Sequence, residues 1–235
     1  MTKWESWAAE IEELVSGDRV HRFLRDRVVR HTMFGGFKQE QLDYLRALPE
    51  RWEQATKVSC VGNPSNIHDG ATGCSVRQAY YLARMEAFSG IDTRDYATIV
   101  EYGGGYGEMC RVVRALGFEG RYVIYDLPPV IRLQQYYLGE LGIEAEYHTH
   151  TLPAPEGRPS LFVAAWSLGE TSLKERERHL DTMAEYDAYL FGYQNEWNGI
   201  DNNAFFAELQ SAYTHVMWEN VKKGRGHQFL FGVRA

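Results

Sequence analysis

Five residues are of the right type and spacing for chemistry. Glu101, Gly103, Gly105 and Gly107 follow the order Glu-x-Gly-x-Gly-x-Gly, and Asp126 closes the next apolar run. A glycine turn lets backbone N–H groups approach a ligand with no Cβ in the way. Glu101, at the end of the run before the turn, is placed to hold an ammonium group. Asp126, at the tip of the following run, is placed to bond both hydroxyls of a ribose. The frame is not the dinucleotide Gly-x-Gly-x-x-Gly, because Glu108 stands where its third glycine would be. A cofactor with a ribose and a charged amino-acid tail suits this version of the turn.

The elements around these residues read as alternating strands and helices. Residues 97–102 are an apolar strand. Beyond the glycines Met109, Val112, Val113 and Leu116 recur at helical spacing, giving a helix over 107–117. A second pair follows at 121–126 and 128–141, where Val130, Leu133, Tyr137 and Leu141 keep step and the prolines suit a helix start. A short third strand is expected at 144–149, a buried one at 161–166, a helix at 173–186, a strand at 189–193 and a helix through Phe205, Phe206 and Leu209. Residues 212–218 and 228–233 flank a hairpin-like connection at Lys222–Gly226. Alternating units followed by a terminal hairpin predict an α/β fold with a seven-stranded, mostly parallel sheet and one antiparallel strand.

The motifs also carry a resemblance. Glu101 to Gly107 resembles motif I of class I S-adenosylmethionine-dependent methyltransferases. Tyr125-Asp-Leu-Pro-Pro-Val-Ile131 is similar to the Asp-Leu-Pro segment of several O-methyltransferases. The run Ile99–Leu138, with Ser75–Tyr81 upstream and Ala165–Glu170 downstream, resembles a bacterial group of sugar O-methyltransferases. The resemblance implies a Rossmann-like methyltransferase domain and a methyl donor as cofactor. It implies a sugar or sugar-bearing metabolite as the hydroxyl acceptor.

Methyl transfer to a hydroxyl requires oxygen, methyl and sulfur in line, and a base for the hydroxyl proton. Ligands in open α/β sheets bind beyond the carboxyl ends of the strands. The candidate cofactor contacts there are Glu101, Gly103, Gly105, Gly107, Asp126, Leu127, Thr149, Trp166 and Ser167. Glu170, after the fourth strand, is the candidate base, and its alternative is an acid favoured by a helix N-terminus. His148 and His150, after the third strand, are rivals with adenine contact or simple surface as alternatives. Glu170 with Asp201 and Asn202 imitates an Mg²⁺ set of oxygen ligands, but Asp201 is more simply a helix cap. His227 either reaches the substrate mouth or ends a turn. The alternatives to the whole reading are a methyltransferase acting on a phenol or an amine, a non-catalytic binding module, and a nicotinamide dehydrogenase.

Residues 1–74 read as a helical extension and loop, and 75–235 as the catalytic domain. Trp7, Ile11, Leu14 and Val15 form one apolar stripe, Leu42 and Leu45 another, and His31–Gly36 breaks the helices between them. The extension covers a substrate site, forms a homo-oligomer contact, or packs on the core. Arg25, Arg27 and Arg30 read as a solvated face. His68-Asp69-Gly70 is a loop constellation whose plainer reading is a turn. The chain is 44% hydrophobic, enough for a sizeable core, and its net charge of -7 disfavours a general nucleic-acid binder. The N-terminus shows no signal-peptide pattern and no run is long enough to span a bilayer. The odd cysteines Cys60, Cys74 and Cys110 read as reduced thiols of a cytoplasmic protein.

Overall fold

The sheet is built from chain segments whose apolar runs require burial on both faces. The computed structural model describes residues 3–65, 67–210, 215–222 and 226–234. Seven strands pair in one sheet: β1 (Thr98–Tyr102), β2 (Arg121–Tyr125), β3 (Glu146–His148), β4 (Ser160–Ala165), β5 (Ala188–Gln194), β8 (His215–Lys222) and β9 (His227–Val233). Their order is β3-β2-β1-β4-β5-β9-β8. β1 to β5 are mutually parallel, and β9 runs antiparallel to both its neighbours. This is the seven-stranded sheet with one reversed strand that the sequence predicts. The connection at 223–225 and residues 212–214 of the expected strand lie outside the described residues.

The chain divides into two compact units: 1–84 with 105–119 and 126–145, and 85–104 with 120–125 and 146–235. The second unit holds the whole sheet. On one sheet face Val100, Tyr102, Val123, Tyr125, Phe162 and Phe191 bury against Met183, Tyr186 and Phe206. Those covering residues come from the helical segments after β4 and β5. The helix expected over 173–186 is two short ones, α8 (Leu173–Glu177) and α9 (Leu180–Met183), broken at Arg178-His179. The break turns His179 inward, where it is 4% exposed and its ring meets Tyr102 and Tyr125 edge-on. A two-stranded ribbon, β6 (Glu196–Trp197) and β7 (Ile200–Asp201), precedes α10 (Asn202–Leu209). Two-residue strands carry too little pattern to be read from sequence.

The first unit is helical: α1 (Lys3–Val15), α2 (Arg27–Thr32), α3 (Gln39–Arg46), α4 (Arg51–Thr56), the larger part of α5 (Gly73–Ser89), α6 (Glu108–Ala115) and α7 (Pro128–Glu140). At the start of α5, Thr72 and Ser75 bond each other's backbone N–H reciprocally. His68-Asp69-Gly70 is a turn. His68 and Ala71 exchange both backbone bonds, and Asp69 and Gly70 take positive φ. α6 starts on Glu108, which is buried and bonded at both oxygens, by Arg111 at 2.7 Å and by the Tyr137 hydroxyl at 2.7 Å. Burial and the Glu108 carboxylate keep the Tyr137 phenol protonated. No helix among the described residues is long and apolar enough to cross a membrane.

Glu108→Ala leaves Arg111 buried with only the Ala55 carbonyl, a change that costs about 3–5 kcal/mol. The expected fall in thermal midpoint is roughly 6–20 °C, measured by calorimetry against Glu108→Gln, which falls less. An unchanged midpoint would show that the pair contributes nothing.

Candidate functional site

The glycine turn is left-handed at each alternate residue. Gly103, Gly105 and Gly107 have φ of +74°, +55° and +98°, values that side chains other than glycine rarely adopt. Space is the second constraint. A Cβ at Gly103 would overlap Ser167, and one at Gly107 would meet Leu138 at 3.2 Å. Gly107 then caps α6 at its N-terminus. The turn is therefore a tight backbone path that glycine alone readily permits at these positions.

In the helical unit the turn is tied to the acid after β2. Gln134 of α7 is fully buried, and its Nε2 donates to the Gly105 carbonyl at 2.9 Å and to Asp126 Oδ2 at 2.8 Å. Asp126 Oδ1 accepts the Leu127 backbone N–H at 2.7 Å. Both oxygens are thus oriented, and a carboxylate offers about four acceptor positions in all. Leu127 is 40% exposed, a large apolar side chain beside that acid. Gln134 escapes the motif reading. Its trace in the sequence is a polar residue inside the apolar stripe of Val130, Leu133 and Tyr137.

Glu101, the acid that opens the motif, packs beside Tyr122. It is the penultimate residue of β1, is 3% exposed, and accepts a hydrogen bond from the Tyr122 hydroxyl at 2.8 Å. Its carboxylate lies within the sheet's packed layer, on the face opposite Tyr102.

The loop after β4 is strained and heavily braced. Trp166, a non-glycine residue, has φ of +66°. Its N–H continues the ladder to the Gly192 carbonyl at 2.8 Å. Its indole lies over Gly192, where a Cβ would stand 3.2 Å from the ring, and contacts His227 and Phe229. His227 itself opens β9, opposite Gln194. Ser167 donates its hydroxyl to the Tyr102 carbonyl at the end of β1. Leu168–Glu170 form a single 3-10 turn. Glu170 lies two residues before Ser172, the residue that caps α8, so it is not in that helix's first turn. Its carboxylate accepts from Gln194 Nε2 at 3.1 Å.

Two buried polar residues hold this loop. Asn202 Nδ2 donates to the Gly169 carbonyl at 3.1 Å and to the Gln194 carbonyl at 2.7 Å. Arg176 is fully buried and donates from Nη2 to the Gly169 and Thr171 carbonyls at 2.9 and 3.0 Å. Burial, against a weaker opposing pull from Tyr102, lowers this guanidinium to about 10. Nothing here supports the Mg²⁺ alternative. Asp201 caps α10 through Ala204 N, Asn202 is a scaffold amide, and no group of three or more His, Cys, Asp or Glu among the described residues is arranged to hold a metal.

His148 ends β3 opposite Tyr125, part-exposed, with Nε2 3.8 Å from Glu146. Thr149 follows it part-exposed, and His150 is exposed. Glu146 is held below the usual carboxylate range by its bonds to Arg121, against a smaller effect of burial, with His148 contributing.

No protein-family model matches the chain, and no curated protein matches it in sequence. Among solved structures it is similar to protein 1320 of Thermoplasma acidophilum, with 15% identity and a TM-score of 0.49 over 85% of this chain and 98% of that one. It is also similar to the mitomycin 7-O-methyltransferase MmcR, with 14% identity and a TM-score of 0.48 over 100% of this chain and 69% of that one. A third is the S-adenosylmethionine-dependent methyltransferase SibL, with 13% identity and a TM-score of 0.44 over 97% and 73% of the two chains.

Gly103→Ala forces a Cβ into Ser167 on a left-handed backbone. It is expected to cost about 1–3 kcal/mol in urea denaturation. Gly36→Ala, whose Cβ would meet nothing within 4 Å, is the control and should stay within about 0.5 kcal/mol of the parent.

Proposed function

We propose that the protein is an S-adenosylmethionine-dependent O-methyltransferase acting on a hydroxyl of a sugar or sugar-bearing metabolite. The observation that carries the cofactor half is the buried Gln134 amide, which joins the left-handed glycine turn to Asp126. A turn stripped of Cβ atoms beside an oriented carboxylate fits a nucleoside with a ribose diol. The strand order supports the same reading. In such sheets ligands lie at the carboxyl ends of the strands, and the glycine turn, Asp126 and the Trp166–Glu170 loop all follow strand ends.

In this reading Asp126 takes the ribose hydroxyls and Leu127 covers the base. The three glycines admit the cofactor's backbone-side contacts. Thr149, Trp166 and Ser167 complete the cofactor contacts read from the sequence. Glu101, bonded to Tyr122, is the acid read from the sequence as the partner of the ammonium group. The cofactor supplies a methyl on a sulfonium. Transfer of that methyl would need the acceptor oxygen held in line with it and the hydroxyl proton taken up by a side chain. The hydroxyl proton passes to a carboxylate, for which Glu170, steadied by Gln194, is the candidate. His148 is the alternative base. The sugar acceptor rests on the sequence resemblance alone, and a cytoplasmic setting on the reading of the cysteines.

The test is calorimetric titration of the full chain with S-adenosylmethionine, S-adenosylhomocysteine and NAD, with and without Mg²⁺. Binding of the first two and not the third is expected, with no dependence on Mg²⁺. Binding of NAD alone would overturn the reading. Asp126→Ala should weaken S-adenosylmethionine by about 1.5–3 kcal/mol, and unchanged affinity would remove the ribose assignment. Glu170→Gln should keep cofactor affinity and slow transfer to any sugar acceptor found by mass gain of one methyl. Full activity would remove Glu170 as the base.

A further inference from the structure

Among the described residues, one cation of the helical unit has no carboxylate paired with it. Arg77 lies one turn into α5, and its guanidinium rests on Gly35, where any Cβ would overlap it. A Cβ at Gly73 would in turn overlap the Gly35 carbonyl. Two glycines are therefore needed to bring the 33–36 segment onto the first turn of α5. The Arg77 Nε is sealed from solvent with no hydrogen-bond partner, while the residue as a whole is part-exposed. The groups that face it are Cys74, Tyr81 and Tyr106. Burial pushes the Cys74 thiol up and the Tyr106 phenol well up, so both stay neutral. Among the described residues no carboxylate forms an ion pair with Arg77.

These neighbours hold the guanidinium charged, Cys74 by a hydrogen bond, but none of them supplies an anion to pair with it. Its surroundings say where that anion would come from. Tyr106 belongs to the glycine turn, and Met33, on the segment under Arg77, packs against Gly105. Planar carboxylates match a guanidinium fork. We infer that Arg77 is the anchor for the α-carboxylate of the cofactor's amino-acid tail. This inference rests on the proposed function. It assigns the carboxylate to α5 and the Gly35–Gly73 contact, outside both motifs that identify the cofactor. The short glycine-rich break at His31–Gly36 thereby becomes part of the binding machinery.

Decarboxylated S-adenosylmethionine separates the roles, because it keeps the adenosine, the sulfonium and the ammonium and lacks only the carboxylate. The parent chain and Arg77→Gln are titrated calorimetrically with S-adenosylmethionine and with this analogue. The parent should prefer S-adenosylmethionine by roughly ten- to a hundredfold, and Arg77→Gln should lose that preference by weakening S-adenosylmethionine alone. Equal weakening of both ligands would mark Arg77 as structural and overturn the inference, as would no change in either. A parent chain that binds neither ligand would overturn the proposed function itself, a distinct result. If Arg77→Gln does not fold, Arg77→Lys keeps the charge without the fork. It should retain an intermediate preference, and a preference equal to the parent's would overturn the carboxylate pairing.

Discussion

The arrangement depends on one amide. Gln134 is buried in α7 and bonds a carbonyl of the glycine turn and a carboxylate oxygen of Asp126 with the same nitrogen. A glycine-rich backbone is intrinsically loose, because glycine has the most conformational freedom to lose. Left-handed φ at three positions makes the turn possible but does not hold it. The Gln134 bond supplies a fixed point from a helix that is itself anchored by Val130, Leu133 and Tyr137. The same bond fixes the orientation of Asp126. Preorganisation of this kind lowers the ordering cost that a ligand would otherwise meet on binding.

The loop after β4 solves a related problem with different materials. It carries a strained Trp166 and a 3-10 turn, and so has few regular backbone bonds of its own. Its carbonyls are satisfied instead by side chains buried beneath it, Asn202 on Gly169 and Arg176 on Gly169 and Thr171. Breaking such a network leaves unsatisfied buried groups, so the loop is held by the cost of moving it. Glu170 stands between two carbonyls that Arg176 grips. That makes its backbone one of the better-determined positions in an otherwise irregular segment.

Much of this was legible in the sequence, for identifiable reasons. Parallel strands buried on both faces leave continuous apolar runs, and β1, β2, β4 and β5 were all readable in that way. Positive φ leaves glycine, so Gly103, Gly105 and Gly107 stood out. A helix cap leaves Asp or Ser, so the bland reading of Asp201 was available. What the sequence concealed is whatever long side chains do after folding. Arg176 sits in Leu-Lys-Glu-Arg-Glu-Arg-His, which reads as an exposed charged helix, yet its guanidinium is entirely buried. Glu101 reads as a strand-end acid, and its bond to Tyr122 of the neighbouring strand leaves no mark in the spacing. In both cases the deciding partner is distant in sequence and of ordinary type.

That contrast explains why the cofactor half is easier to read than the acceptor half. A cofactor gripped by backbone demands glycines and a strand-end acid, and such demands constrain residue type at fixed spacing. An acceptor gripped by side chains from several loops imposes no spacing at all. Arg77 belongs to the second kind, with one difference. Its neighbours Gly35 and Gly73 exist because a guanidinium and a carbonyl occupy the space their Cβ atoms would take. Close approach is thus recorded in the glycines even where the cation is not conspicuous. A pair of glycines on separate segments, one under a part-exposed arginine whose Nε is sealed and one against the other's carbonyl, is a physical signature of a built contact. An uncompensated charge enclosed by such a contact is stable only because something outside the chain is meant to complete it, or because the surrounding fold can bear the cost. The Cys74 thiol, which hydrogen-bonds the guanidinium, and the phenols of Tyr81 and Tyr106 favour its charged form, but none of them is an anion, which leaves that role to the ligand.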